Sequence, residues 1–172
     1  METSPKIPLI TTQRLVLRPF SMADLAMLKP IVQEPDIFHY FPNQDPWTDE
    51  KTEGYIQYQI NHWHLYGYGH WALVRNETGQ IIGWNGLEFL PDTNETEVGY
   101  LLSKAFWGKG YATEAAIAAI QFGIKKIKLN EIIGLTHPEN IASQRVLEKC
   151  GFSFTRSATY FGMEMFRFAT QV

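Results

Sequence analysis

The residues best placed to do chemistry lie in one short stretch, Trp107-Gly108-Lys109-Gly110-Tyr111-Ala112-Thr113-Glu114. The β-rich run Val98, Tyr100, Leu101 and Leu102 comes before it, and the helix formers Ala115 and Ala116 come after it. The pattern predicts a strand, a tight glycine loop and a helix. Gly108 and Gly110 can take backbone angles that residues with side chains avoid. Such a loop aims several N–H groups at one spot, at the positive end of a helix dipole. That is a site for a phosphate or pyrophosphate.

Two familiar phosphate loops fit poorly. A nucleotide P-loop needs a lysine followed directly by a hydroxyl, and Lys109 precedes Gly110. A dinucleotide fingerprint needs a third small residue, where Thr113 stands, and an acid closing the next strand, whereas Glu131 opens one. The five histidines suggest no metal site. His62 and His64 are two apart on a predicted helix and do not share a face.

At 172 residues the chain reads as one domain, residues 1–172. Its net charge of −3 argues against general binding to nucleic acid or a membrane surface. A single cysteine, Cys150, excludes an internal disulfide and suits a reducing cytoplasm. The N-terminus lacks the basic head and apolar run of a signal peptide, and no window has the ~18 apolar residues of a membrane span. These features lead us to expect a cytoplasmic protein.

The elements that must position the loop can be read in order. Arg14 to Arg18 alternates as a strand, and Ser21 with Asp24 opens a helix to about Gln33. Phe38 to Pro46 is a loop. Thr48 caps a second helix that ends near Gly67. Trp71 to Arg75, Ile81 to Phe89 and Glu95 to Leu102 are strands linked by turns. The helix after the glycine loop is rich in alanine and can pack close to a sheet. Glu131 to Thr136 is a strand, Asn140 to Cys150 a helix with Gly151 as its cap, and Phe152 to Arg156 and Tyr160 to Phe168 close the fold. The expected class is α/β, a mixed sheet with helices on its faces.

Two late blocks are far more specific than the loop alone. Trp107-Gly-Lys-Gly-Tyr-Ala-Thr-Glu-Ala115, followed by Asn140-Ile-Ala-Ser143-Gln-Arg-Val-Leu-Glu-Lys-Cys-Gly-Phe152, resembles the GNAT superfamily of N-acetyltransferases. The opening block Thr12-Gln-Arg-Leu-Val-Leu-Arg-Pro-Phe20, with Asp24, resembles the RimJ/RimL branch, which acetylates ribosomal-protein N-termini. The resemblance covers nearly the whole chain. It implies a twisted, mostly antiparallel central sheet flanked by about four helices, with acetyl-CoA as co-substrate and no metal. It further implies a cofactor site at Leu101, Leu102, Trp107, Gly108, Lys109, Gly110, Tyr111, Ala112, Thr113, Asn140 and Ser143, with an oxyanion donor among the backbone N–H groups near Leu101. Lys109, Arg145 and Lys149 are cations that could meet the phosphates. The chain departs from the family pattern twice. Trp107 stands where a Gln or Arg usually opens the loop, and Leu147 where many members carry a tyrosine as general acid.

The implied reaction is attack of an amine on a thioester, so the amine must be neutral. A protein α-amine, with a pKa of ~8, is roughly a tenth neutral at pH 7, and a lysine far less. A thiolate leaving group, near ~8.5, is tolerable without a strong acid. By the resemblance Glu97 is the candidate base, with Glu95 as its rival, and Ser143 is the candidate acid. Asn140 is expected to hold the pantetheine arm as well as to cap its helix. Cys150 reads as a small buried residue.

The acceptor is sought among Phe38, His39, Tyr40, Phe41, Trp47, Tyr55, Tyr58, Trp63 and Tyr66, the region that forms the acceptor pocket in this branch. Asp36, Asp45, Asp49, Glu50 and Glu53 favour a cationic partner there. A peptide N-terminus, an amino acid or a small amine all fit this description, and a homodimer is an open alternative to a monomer. Two other classes compete: a catalytically silent acyl-CoA sensor on the same fold, and a nicotinamide-dependent reductase, which the hairpin-linked strands disfavour.

Overall fold

The computed structural model describes residues 6–171, so the reading of the extreme N-terminus falls partly on residues 1–5, outside the described residues. The strands are β1 (Ile10–Thr11), β2 (Leu15–Arg18), β3 (His70–Arg75), β4 (Ile81–Leu90), β5 (Glu95–Leu102), β6 (Glu131–Thr136), β7 (Ser153–Tyr160) and β8 (Met163–Gln171). The helices are α1 (Leu25–Val32), α2 (Asp49–Tyr66), α3 (Tyr111–Phe122) and α4 (Ile141–Lys149). The strands form one sheet in the order β1-β2-β3-β4-β5-β6-β8-β7.

Every neighbouring pair of strands is antiparallel except β5 and β6, which run parallel. That pair is joined only at Glu97 and Ile133. Past it the two strands splay into a fork whose mouth lies toward Leu102 and Thr136. The far edge of β6 is held by β8 from Glu131 to Thr136, so β6 follows β8 away from β5. Arg167 on β8 pins the closed end. Its guanidinium reaches Glu95 at 2.8 Å and Glu131 at 2.7 Å, and Tyr160 donates to Glu95 at 2.7 Å.

Alternation along β5 decides which face does what. Val98 and Leu102 enter a core with Ala115, Ala116, Ala119 and Ile120 of α3 and Leu147 of α4. Leu101 enters a second core with Leu28, Ile31 and Val32 of α1 and Ile56 of α2. Glu97 and Gly99 share the α1–α2 face with Leu101. Alanine at 115, 116 and 119 lets α3 sit close to the sheet, as its composition suggests.

The caps follow the sequence closely. Asp24 accepts from the Ser21 N–H at 2.8 Å, Thr48 Oγ1 accepts from the Lys51 N–H at 3.2 Å, and Gly67 ends α2 at φ 74°. Three details differ. The first turn after Ser21 is 3₁₀, and α1 begins at Leu25. The short strand β1 pairs with β2 and carries no alternation to announce it. The last hairpin turns at Phe161-Gly162, with φ of 54° and 75°. Both values are positive, as a type I′ turn demands. The final strand therefore starts at Met163 rather than Tyr160.

Gly86 shows how tightly β3 and β4 approach. A Cβ there would stand 2.1 Å from the Gly69 carbonyl oxygen and 2.5 Å from the His70 Cα. Backbone cannot step aside as a side chain can, so Gly86→Ala is expected to cost about 3 kcal/mol or more, a fall in Tm of roughly 6–12 °C. Gly54, exposed in the middle of α2, has no atom within 4 Å of its missing Cβ. Gly54→Ala is expected to raise Tm by a few degrees, through about 0.5–1 kcal/mol of helix propensity. Calorimetry on the two variants checks both signs.

Candidate active site

The glycine loop folds as its residues suggest. Gly108 and Gly110 lie at φ 70° and 81°, and Gly110 caps α3 in the left-handed region. The first helical bond of α3 runs from the Glu114 N–H to the Gly110 carbonyl at 3.0 Å. The N–H groups of Tyr111, Ala112 and Thr113 therefore have no acceptor within the helix and point outward from its positive end. Trp107 does not open the loop as a free polar side chain would. Its indole N–H donates to the Leu102 carbonyl at 2.7 Å, locking the loop onto the end of β5. Lys109 Nζ donates to the Ala105 carbonyl at 2.7 Å.

A clasp from the other end of the chain holds the loop. Glu114 Oε1 accepts from Thr12 Oγ1 at 2.7 Å and from the Arg14 N–H at 2.8 Å, while Oε2 accepts from Arg14 Nε at 2.7 Å. Arg14 also donates to the Lys109 carbonyl at 2.8 Å and lies over the Tyr111 ring at 4.1 Å. Hydrogen bonds from Thr12 and Arg14, with the Arg14 charge, outweigh burial and hold the Glu114 carboxyl below its usual pKa.

The loop leads into the fork. Ser103 N–H donates to the Ile82 carbonyl at 2.8 Å. The alternation of an antiparallel ladder then turns the Leu101 N–H toward β4, and those of Tyr100 and Leu102 toward the open gap. The Leu101 N–H thus faces β4 and not the gap, and the Leu101 side chain is buried in the α1–α2 core. Across the gap, Asn140 caps α4 by accepting from the Ser143 N–H at 3.1 Å. Ser143 Oγ lies 2.8 Å from the Tyr100 hydroxyl, which also reaches the Ser143 carbonyl at 3.2 Å. Burial raises the Tyr100 pKa, so its proton stays on. Leu147 is 1% exposed and packs against Gly134. Burial pushes the Cys150 thiol up to about 11.

Glu97 stands at the vertex of the fork, half-buried. Burial and the charge of Glu88 push its pKa up to about 8, with a hydrogen bond from the Leu135 backbone pulling the other way. Its rival Glu95 is committed elsewhere. Burial opposes its ionisation, but bonds from Tyr160, Thr93 and Arg167 hold its pKa below the usual range. Glu88 faces Glu97 directly across β4 and β5. It accepts from the Tyr58 hydroxyl at 2.7 Å and lies 3.5 Å from His70 Nε2, while His70 Nδ1 is 2.8 Å from the Tyr55 hydroxyl. Burial lowers the His70 pKa, keeping the ring neutral.

The aromatic segment divides. Phe38 and Trp63 are core residues. Trp47 stacks on Trp84 and Tyr55 packs at a tilt against both, with Tyr55 and Trp84 centroids 4.6 Å apart. Tyr40 crosses the mouth of the fork, its hydroxyl 3.4 Å from the Glu139 carbonyl and its ring 5.4 Å from that of His137. Asp36, Asp45, Asp49 and Glu50 are exposed at the rim. Sequence reasoning passed over Glu88, His70 and Tyr100, because their roles depend on cross-strand register. Among the described residues no group of His, Cys, Asp or Glu could hold a metal ion, and no helix is long and apolar enough to cross a membrane.

Residues 14–153 match the acetyltransferase (GNAT) domain family. The uncharacterized N-acetyltransferase p20 of Bacillus licheniformis is 32% identical over 82% of this chain and 80% of its own length. An acetyltransferase structure from Agrobacterium tumefaciens superposes with a TM-score of 0.85 at 28% identity, covering 100% of this chain and 99% of that one. A RimL structure, titled as a ribosomal L7/L12 α-N-protein acetyltransferase in complex with coenzyme A, superposes with a TM-score of 0.80 at 18% identity, covering 96% and 98%.

The position of Glu97 has a thermodynamic signature. Its carboxyl keeps a proton in the folded state up to about pH 8, while an unfolded chain releases it near the ordinary value of 4.5. The folded state therefore binds more protons between those values, and stability falls as pH rises through that window. Urea unfolding of the wild type and Glu97→Gln is expected to give curves that diverge from about pH 5 to 8, the variant losing less stability, and then run parallel. Parallel curves throughout would place Glu97 in an ordinary solvated setting.

Proposed function

Because the chain belongs to the GNAT acetyltransferase family, we propose that it transfers the acetyl group of acetyl-CoA to a primary amine by direct attack in a ternary complex. The observation that carries this reading is the fork opening beside the glycine loop, with Glu97 at its vertex. The parts fit acetyl-CoA as substrate. The bare N–H groups of Tyr111, Ala112 and Thr113 suit the pyrophosphate. The unpaired edge of β5 from Val98 to Leu102 suits the two amides of pantetheine, which can lie along it as an added strand would. The thioester then ends near Glu97. The N–H groups of Tyr100 and Leu102 are the donors available to its oxygen.

In the proposed reaction the ammonium proton passes to Glu97 and the free amine attacks the thioester carbon. The C–N bond forms, the C–S bond breaks, the nitrogen gives up its second proton to water as the tetrahedral intermediate collapses, and Glu97 releases the first to solvent. A base near pH 8 is matched to an α-amine of similar pKa. Neither Ser143 nor Tyr100 is acidic enough to hand a proton outright to a thiolate near ~8.5. Their part is a hydrogen bond to the departing sulfur, with Tyr100 accepting or donating so as to orient Ser143. Sulfur finally takes its proton from water.

The opening block Thr12–Phe20 supports placing the chain in the RimJ/RimL-like branch; its length suits a single domain over residues 1–172, and its lone cysteine suits the cytoplasm. A silent acyl-CoA binder is the second reading, favoured by Leu147 standing buried where many relatives carry a tyrosine.

Thermal unfolding with acetyl-CoA, CoA, NAD and ATP tests the site. A ligand at 100 times its Kd adds ~2.7 kcal/mol, or roughly 5–10 °C for a chain of this size. The shift is expected with acetyl-CoA and CoA alone, and a shift with NAD or ATP instead would overturn the assignment. In a steady-state assay kcat/KM is expected to rise with pH up to about 8. Glu97→Gln is expected to lose that rise and about 10²-fold in kcat, with little change in acetyl-CoA affinity. Binding without turnover on any amine would favour the silent reading.

A further inference from the structure

The proposed transfer uses one carboxylate of the α1–α2 face, yet a second, Glu88, stands directly beside it. Glu88 on β4 and Glu97 on β5 are direct cross-strand partners, so their Cβ atoms stand about 4.5–5.5 Å apart on one face. Glu88 is reachable, with 27% of its side chain exposed. It is also held in place by the Tyr58 hydroxyl at 2.7 Å.

His70 supplies the second observation. The residue is 6% exposed, and its Nε2 is buried without a hydrogen-bond partner. That nitrogen lies 3.5 Å from Glu88 Oε2, and 3.2 Å from where a Cβ on Gly99 would stand. It therefore looks along the bare glycine floor beside Glu97. When Tyr55 donates to Nδ1, 2.8 Å away, the ring proton sits on Nε2 and faces Glu88. A buried donor left short of its acceptor is costly unless the acceptor is charged and draws closer. Tyr58 and His70 thus both turn toward Glu88 and hold it in place, while Glu97 stands beside it at the vertex of the fork. Two carboxylates on one face with different partners can take separate tasks.

The surroundings disfavour a partner with an acidic group. Among the described residues, Arg18 is paired with Asp24, Lys29 with Asp49, and Arg167 with Glu95 and Glu131. Lys51 lies over the Trp47 ring at 5.3 Å, and Lys104 donates to the Pro35 carbonyl. Neither Glu88 nor Glu97 has a Lys or Arg ion-pair partner among the described residues, so no cation stands beside the two acids to receive a carboxylate.

We propose that Glu88 is the anionic anchor of the acceptor site, and that the acceptor is a primary ammonium with no acid group beside its reacting nitrogen. Such an ammonium comes from a small amine or from a chain N-terminus, and a free amino acid is rejected. This inference rests on the acetyltransferase reading above. Glu88 holds the cation while Glu97 removes its proton, so the first sets affinity and the second sets rate.

The test compares three acceptors that differ only beside the nitrogen: phenethylamine, phenylalaninamide and phenylalanine. Acetyl transfer is measured with the wild type, Glu88→Gln and Glu88→Asp. Phenethylamine and phenylalaninamide are expected to exceed phenylalanine at least tenfold in kcat/KM, and the better of the two tells small amine from N-terminus. Glu88→Gln is expected to close most of that gap by raising KM for the two cations with a smaller change in kcat. Glu88→Asp, which keeps the charge, is expected to preserve the gap. A purely structural role for Glu88 would lower all three substrates alike and leave their ratio unchanged. Phenylalanine acetylated as well as its amide, a ratio unmoved in Glu88→Gln, or no acceptor used by a protein that CoA still stabilises would each overturn the anchor. Absence of CoA stabilisation would instead overturn the acetyltransferase reading beneath it.

Discussion

The structure depends on two strands that meet and then part. β5 and β6 share one pair, Glu97 with Ile133, and no more. A sheet usually saturates its edges, since unpaired backbone groups are costly when buried and adhesive when exposed. Here an edge is left bare inside the molecule, where water or a ligand must satisfy it. Geometry on both sides keeps it so. β6 is committed along its whole length to β8, and Leu147 of α4 sits under Gly134, where even a Cβ would meet it at 2.4 Å. Arg167 binds Glu95 and Glu131 at the closed end and fixes where the parting begins.

Placing an acid at that vertex has electrostatic consequences. Glu97 gives up its hydration to burial and faces another carboxylate across the ladder, so its proton is held well past the ordinary carboxylate range. Glu95, two residues away on the same face, goes the opposite way because Arg167 and Tyr160 reach it. The difference between a structural acid and a candidate base is thus set by which partners the fold delivers, and not by the residue or its strand. The same holds for Glu114, whose helix-start position would suit any acid. Its bonds to Thr12 and Arg14 make it the fastener between the first strand and the phosphate loop.

How much of this was legible in the sequence depends on the range of the interaction. The bounds of β5 and β6 follow from apolar runs and turn residues, and the structure keeps both as Glu95–Leu102 and Glu131–Thr136. Gly108 and Gly110 announced a loop that needs positive φ, and they adopt it. Asn140 announced a cap. These are local signals. The fork is not local, because its origin lies in what β6 pairs with on its other side. Glu88 reads as one polar residue inside an apolar strand until the register sets it opposite Glu97. Tyr100 reads as a core aromatic until α4 brings Ser143 to its hydroxyl. Phe161 gave no hint of a left-handed turn, since only the hairpin's twist requires it.

Trp107 carries a last consequence. Its indole is tied to the Leu102 carbonyl, yet the residue is 54% exposed, whereas Trp63, Trp71 and Trp84 are 3%, 0% and 4% exposed. Among these the only indole that meets water at the loop is therefore this one, standing beside the amides that would receive a phosphate. Its emission is red-shifted relative to the buried three and open to collisional quenchers. Trp47 is the other indole partly open to water, so with Trp47 replaced by Phe, excitation at the red edge of the tryptophan band selects a reporter fixed to the loop by a single hydrogen bond, and the filling of the site can be followed in real time without a label.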